Sequence, residues 1–460
     1  MKDVLVIGGG FAGVWSTAGA IRAARAADGA GGGEELRVTL VSGGDDLVIR
    51  PRLYEDEPES MRVPLDRVLG PIGVRRLTAT VTGIDTEART VRAVGREGSA
   101  LTLSYDKLVL ATGSRLVRPT FPGARHVFDI DTLPAAAALD HHLRRLPRRR
   151  PSDGRYTAVV VGAGFTGLEI ATVLGERLRT IADRHGGGEA VRIVLVDRAE
   201  VLGSELGPGP RPVIDAAIDE LKIERRLGRT VSSATTEEAV LSDGEIIPAA
   251  TIIWTAGMIA SPLTAQIPGE RDRLGRLSVD THMRVTGVPD VYAAGDTAVA
   301  AVEDGHHTIQ SCQHAQPMGK CAGYNAAAEL LGTALLPFAF DPYSNTLDLG
   351  SAGAVFTNGW ERTVTTTGPE AKTMKQNINT TWIYPSVDDP EQILAQASRL
   401  LNSEHAAAVT ADHTLAAARA RPHGNADDRD HRDGSPSPDP ARHAGGHDGD
   451  GRFPGGGPRA

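Results

Sequence analysis

Val4-Leu5-Val6-Ile7-Gly8-Gly9-Gly10-Phe11-Ala12-Gly13 stands at the start of the chain, and its reading decides the fold. Four unbroken apolar residues predict a buried parallel strand. A G-x-G-x-x-G turn follows at Gly8, Gly10 and Gly13, and the alanine-rich run from Val14 to Ala27 predicts a helix. Gly8 permits the tight turn, Gly10 lets the backbone approach a pyrophosphate, and Gly13 lets the helix lie close on the strand. Free N–H groups and the positive end of the helix dipole then face two phosphates. The competing reading is a glycine-rich turn in some other α/β protein.

The pattern returns. Ala158-Val159-Val160-Val161-Gly162-Ala163-Gly164-Phe165-Thr166-Gly167-Leu168-Glu169 is again strand, turn and helix, so the two halves form an internal repeat. Each half has a second strand, Leu36–Val41 and Val191–Val196. A carboxylate expected after such a strand binds ribose hydroxyls. The first half has Ser42 there, a weaker hydrogen-bonding group, and the second has Asp197. Asp197 favours NADH over NADPH by repelling a 2′-phosphate, although Arg198 beside it pulls the other way. Two further strands end in small residues, Ala111-Thr112-Gly113 and Thr255-Ala256-Gly257, which let a cofactor lie against the backbone. Val288 to Asp296 predicts a strand ending in Gly295-Asp296, where the aspartate can accept bonds from flavin ribityl hydroxyls.

Between these landmarks, Thr78 to Leu103 alternates as a β-meander, and Phe128 to Arg150 predicts a helix and a basic linker. The run Arg148-Arg149-Arg150 reads as a solvated turn. Gln310 to Leu331 predicts a helix, Ala339 to Thr367 antiparallel strands with Lys372 and Lys375 behind them, and Gln392 to Leu401 a last helix. Residues 411–460 are Pro-, Gly-, Asp-, Arg- and His-rich, which predicts a disordered tail.

The bulk numbers set limits. At 460 residues the chain is long enough for two or three domains. A formal charge of -9 argues against nucleic acid as a partner. Two cysteines, Cys312 and Cys321, fit a reducing compartment. The apolar runs are strand-sized and the N-terminus opens on a strand, so the expectation is a cytoplasmic protein with no signal peptide, at most peripheral to the inner face of a membrane.

Together the motifs resemble the pyridine nucleotide–disulfide oxidoreductase-like flavoproteins with two dinucleotide-binding domains. The resemblance rests on Gly8 to Gly13, Ala111 to Gly113, Gly162 to Gly167, Thr255 to Gly257 and Ala294 to Asp296. It implies an α/β fold in which a Rossmann-like NAD domain is inserted in a Rossmann-like FAD domain. The FAD domain would cover 1–125 and 262–335, the NAD(P)H domain 126–261, and a small C-terminal α+β domain 336–405. It further implies FAD on Gly8, Gly10, Phe11, Ala12, Gly13, Ser42, Arg50, Ala111, Thr112, Gly113, Gly295, Asp296 and Ala315. NADH would lie on Gly162, Gly164, Gly167, Asp197, Ala256 and Gly257.

The branch looks most like type II NADH dehydrogenases and apoptosis-inducing-factor-like proteins, since residues 1–311 hold no cysteine. In that branch the last long helix carries Ala-Gln-x-Ala-x-Gln-Gln-Gly. Here it reads Cys312-Gln313-His314-Ala315-Gln316-Pro317-Met318-Gly319, so the glutamine pair is replaced by Pro317 and Met318. The quinone site is therefore not carried over.

Three residues are candidates for the chemistry. Glu169 can contact the nicotinamide ribose or carboxamide, or else serve as a cap or surface group. Gln313 belongs to the acceptor side. His314 can protonate a reduced acceptor, or else pack as a core histidine. Cys312 and Cys321, roughly 13–14 Å apart by helical rise, cannot pair without unwinding. The expected partner is a small-molecule electron acceptor of quinone type. The alternatives are a protein carrier such as ferredoxin, docking on Arg50, Arg52, Arg62 and Arg67, or a non-catalytic NADH sensor. Arg50 is also read as spare positive charge for phosphate or substrate. Peripheral membrane contact and a homodimer are compatible with this reading.

Overall fold

A computed structural model describes residues 1–29, 35–185, 190–340 and 342–398. Strand Lys2–Ile7 forms as predicted, and Val4 to Ile7 are buried. Each such side chain contributes about 1.5–3 kcal/mol through burial. The strand pairs in parallel with Leu36–Ser42 on one side and Lys107–Leu110 on the other. The full sheet has seven strands and includes the meander Arg75–Asp85, Thr90–Gly95 and Ala100–Ser104 at one edge. Strand Val291–Ala293 closes the other edge, in parallel register with Leu108 to Leu110.

Between Leu110 and Val291 the chain leaves this sheet and builds a second one of four parallel strands. Their order is Glu224–Leu227, Arg192–Asp197, Thr157–Val161, Thr251–Trp254. The outgoing segment Ser114–Leu116 pairs antiparallel with the returning segment Met258–Ala260, so one short ribbon ties both crossings together. Beside a small antiparallel sheet of Val231–Ala234, Glu238–Leu241 and Ile246–Pro248, a third principal sheet, wholly antiparallel, consists of Ser344–Asp348, Ala354–Asn358 and Thr363–Thr367.

Five helices matter for the site: α1 (Phe11–Gly29), α2 (Leu133–Arg145), α3 (Phe165–Asp183), α4 (Cys312–Leu331) and α5 (Gly368–Asn377). Helix α1 starts three residues before the predicted Val14, directly on the glycine turn. The predicted helix from Phe128 begins only at Leu133, where Thr132 caps it by accepting a bond from the Ala135 N–H. The last predicted helix is Pro390–Gln396, shorter than expected, with Asp389 as its cap. The predicted tail, 411–460, lies outside the described residues, as do Gly186 to Gly188 and most of the loop Gly29 to Glu35.

Helices α1 and α4 cross at contact distance because glycines face backbone. A Cβ on Gly319 would stand 2.3 Å from the Ala12 carbonyl oxygen, and one on Gly323 1.8 Å from that of Ser16. Ala322, Ala326 and Ala327 beside them are fully buried. Pro317 sits inside α4 and supplies no N–H, so the Gln313 carbonyl loses its usual partner in the helical ladder.

Candidate functional site

The two glycine turns repeat each other in detail. Gly8 has φ of 116° and Gly162 has 110°, a region that side chains disfavour. A Cβ on Gly13 would lie 1.8 Å from the Gly8 carbonyl oxygen, and one on Gly167 1.7 Å from that of Gly162. Both helices therefore sit against their turns. Gly10 meets nothing within 4 Å and Gly164 meets only Glu205 Oε2 at 3.5 Å, so the middle of each turn is open to a ligand. Phe11 and Ala12 are buried in the first turn of α1.

The two small-residue turns adjoin. Ser261 N–H donates to the Gly113 carbonyl at 2.9 Å, and Val117 N–H to that of Gly257 at 2.9 Å. Ala256 shares this turn with the Thr255 hydroxyl, which donates to the Val161 carbonyl at 3.0 Å. Thr112 Oγ1 is buried in this region and has no partner among the described residues. A buried orphan hydroxyl beside an open glycine cradle fits a bound polar group.

Asp296 follows Gly295 in the first sheet's returning segment. Its Oδ2 accepts from the Ser114 hydroxyl at 2.5 Å and lies 3.6 Å from Arg50 Nη1, with the side chain 15% exposed. Burial pushes its carboxyl above the ordinary value, while Ser114 and Arg50 oppose the shift. A Cβ on Gly295 would touch the Ala12 and Ala315 side chains, at 2.8 and 3.4 Å, which places Ala315 at the same turn.

Arg50 differs from its reading as spare charge. It pairs with Asp131, donates to Ser114 Oγ at 2.9 Å and flanks Asp296, so its charge is already matched. The other three arginines of the suggested docking face are likewise paired: Arg52 with Glu55, Arg62 with Asp46, Arg67 with Asp388. Four matched charges make no unpaired basic face.

The ends of the second strands also differ from one another. Ser42 is buried against the first turn, its hydroxyl 2.4 Å from where a Gly9 Cβ would be. The next carboxylate, Asp45, is taken by Arg76, Arg96 and Thr78, which hold it well below the usual range. Asp197 clamps backbone instead: Oδ2 accepts from Ala163 N–H at 2.5 Å and Oδ1 from Ala199 N–H at 2.7 Å. It thereby fixes the second glycine turn.

Glu169, in the first turns of α3, is neither cap nor surface. It is buried, 2.8 Å from Lys375 Nζ on α5, and accepts from Asp348 N–H at 3.2 Å. Burial raises its carboxyl to about 7, against the lowering pull of Lys375. The cluster continues outward: Tyr54 donates to Asp348 Oδ2 at 2.9 Å, and Asn379 donates to Tyr54 at 3.2 Å and to Glu55 at 2.9 Å. Residues from all three sheets' neighbourhoods meet here, and the sequence links none of them to another. No local pattern links partners separated by 179 residues, as Glu169 and Asp348 are.

At the start of α4, Gln313 donates to Ser344 Oγ at 3.2 Å. His314 is fully buried, with Nδ1 3.0 Å from Ser311 Oγ and Nε2 unpartnered among the described residues. Its ring stacks on Phe340 at 4.1 Å. Burial and Arg276 push it down to about 3, so the ring is neutral at ordinary pH and holds no spare proton to release. Cys312 is pushed up to about 11 by burial, a protonated thiol. Neither cysteine is in a disulfide.

Paired glycine turns on two sheets, joined through small-residue turns and flanked by the partly buried Asp296, define an oxidoreductase of the dinucleotide-binding kind. The chain belongs to the pyridine nucleotide-disulphide oxidoreductase family, which it matches over residues 2–319. It is 45% identical over 399 residues to an NADH dehydrogenase-like protein of Mycobacterium tuberculosis, covering 86% of this chain and 98% of that one. It is 27% identical over 361 residues to a demethylphylloquinone reductase of Synechocystis, covering 76% and 85%. Among solved structures, NDH2 of Plasmodium falciparum in complex with NADH superposes with a TM-score of 0.68 at 12% identity, over 86% of this chain and 96% of that one. That last likeness concerns the fold. Family membership brings a flavin and a nicotinamide nucleotide as the cofactor pair. Among the described residues no helix is long and apolar enough to cross a membrane.

Proposed function

We propose that the chain takes hydride from NADH onto FAD and passes the electrons to a quinone-type or other small acceptor, without a redox-active disulfide. The proposed FAD domain is 1–125 and 262–335, the NAD domain 126–261, and the small C-terminal domain 336–405. The observation that carries the reading is the adjacency of the two small-residue turns, through the Gly113–Ser261 and Gly257–Val117 bonds. Each glycine turn packs on its own small-residue turn, Gly8 on Ala111 and Gly162 on Thr255, so the adjacency carries the two glycine turns toward each other.

A bound flavin supplies the two-electron exchange between nicotinamide and acceptor. The chain's own residues bind, orient and handle protons. Gly8, Gly10 and Gly13 with the α1 N-terminus hold one pyrophosphate, and Gly162, Gly164 and Gly167 with the α3 N-terminus hold the other. Asp296 accepts from ribityl hydroxyls, held in place by Ser114 and Arg50. Asp197 keeps lone pairs free for a ribose after its two backbone bonds, which favours NADH. Glu169, with a carboxyl near neutrality and Lys375 beside it, is suited to hold or move a proton at Oε1. Gln313 lies at the acceptor side as a hydrogen-bonding group. Two free cysteines, Cys312 at the start of α4 and Cys321 at its middle, support a route without disulfide.

Anaerobic titration with NADH tests this reading. Bleaching of a bound yellow chromophore, reversed by a soluble quinone, is the expected result. A colourless purified protein, or one that bleaches and is reoxidised only by ferredoxin, would overturn it.

A further inference from the structure

A cavity lies away from the two glycine turns. It measures about 350 Å³ and is lined by Ala138, His141, His142, Arg145, Arg148 and Arg149. The residues come from the last turns of α2 and the short turn Leu146–Arg148 after it. Its floor is fixed. His142 Nε2 is 3.0 Å from the Thr251 hydroxyl, its ring packs on Phe128 at 4.4 Å, and Arg149 donates to the Thr236 carbonyl at 3.0 Å. Thr251 begins the strand whose other end leads to the Thr255 to Gly257 turn. The cavity therefore sits at the opposite end of the second sheet from the nucleotide turn.

The charge here is unmatched. Arg144 is paired with Asp140, which also takes Arg177. Among the described residues, no carboxylate lies within ion-pair distance of Arg145, Arg148 or Arg149. Arg145 has only the His141 ring, at 3.4 Å. The α2 dipole accounts for cations in its last turn but not for Arg148 and Arg149 beyond it. Three guanidinium groups around one concavity repel each other until an anion bridges them, and their forked donors match phosphoryl oxygens. That such a cluster persists in a chain of formal charge -9 sets it apart from the general surface.

We propose that this cavity binds a phosphoryl group, presented by a small phosphate-bearing anion or by a phospholipid headgroup. Burial and Arg149 push His142 down to about 4, which leaves the floor neutral beneath the arginines.

The test is calorimetric titration of the full-length, flavin-loaded protein with inorganic pyrophosphate, NAD being present at saturation so that both glycine turns are filled. Cosedimentation with phosphatidylglycerol and with phosphatidylcholine vesicles runs beside it. Arg145→Glu and Arg148→Glu should each weaken binding by about tenfold or more, with flavin content and NADH oxidation unchanged. Arg92→Glu, the same change of net charge at an exposed position of the strand Thr90–Gly95, should bind as the parent does. Pyrophosphate binding that follows this pattern identifies a free anion. Binding only to phosphatidylglycerol vesicles, with the same pattern, identifies a headgroup. No binding of either probe, or equal effects of all three variants, would overturn the proposal.

Discussion

Glu169 and Lys375 show how one residue's environment sets its chemistry. In the folded chain the glutamate carboxyl is raised from 4.5 to about 7. The native state then keeps a proton that the unfolded chain releases, so stability is fullest below the unfolded value and declines as pH rises toward 7. Thermal unfolding followed from about pH 5 to 7.5 should show this decline, and Glu169→Gln should flatten it. Lys375 is the largest influence holding the carboxyl down. Lys375→Met should therefore move the pH inflection of flavin reoxidation by quinone to higher pH, and Glu169→Gln should abolish the inflection. Asp197 is read differently once both its oxygens are seen on backbone N–H groups. Asp197→Asn turns one acceptor into a donor facing a donor. The loss of one charge-assisted bond, about 1.5–3 kcal/mol, should raise KM roughly tenfold or more, for NADH more than for NADPH, because the ribose contact weakens together with the turn. A change confined to one cofactor would mean that the carboxylate acts on the ribose alone.

At the level of elements, the crossing of α1 and α4 couples packing to binding. Helix α1 presents its N-terminus to the open face of Gly10, and α4 sets its height through Gly319 and Gly323. Gly323→Ala places a methyl 1.8 Å from the Ser16 carbonyl oxygen, in backbone that cannot yield cheaply. Overpacking of this kind costs about 1–3 kcal/mol. The denaturation midpoint should fall accordingly, and the protein should retain less flavin because α1 is displaced. Gly44→Ala, where a Cβ meets nothing within 4 Å, should leave both unchanged. These elements were legible in sequence because their signals are local: an apolar run, three spaced glycines, an alanine-rich stretch. The boundaries were less so. The starts of α2 and α4 depend on caps, Thr132 and Ser311, which act only once the chain is turned correctly.

The whole molecule is held together by contacts that no stretch of sequence announces. Repeated glycine turns announce two sheets, and the family resemblance implies the insertion of one in the other, yet they do not announce the ribbon Ser114–Leu116 with Met258–Ala260 that joins them. Nor did they reveal the junction where Tyr54, Glu169, Asp348 and Asn379 meet, with Tyr54 and Asn379 325 residues apart. Such a junction depends on tertiary placement, and its members look like ordinary surface polar residues in sequence. Four tryptophans make its contribution measurable. Trp15 lies on α1 and Trp254 in the second sheet, while Trp360 and Trp382 belong to the third sheet and the segment after α5. If the junction fastens the third sheet to the other two, fluorescence and far-UV circular dichroism should report one shared transition in the parent. Lys375→Met with Asn379→Ala removes both the buried cation and the bonds to Tyr54 and Glu55. The third sheet should then release first, so that fluorescence in the double variant changes at lower denaturant than circular dichroism does. With Trp360 and Trp382 replaced by Phe as well, the early step should vanish. An early step that survives would assign it to α1 or the second sheet, and the junction would no longer be what makes the three sheets unfold together.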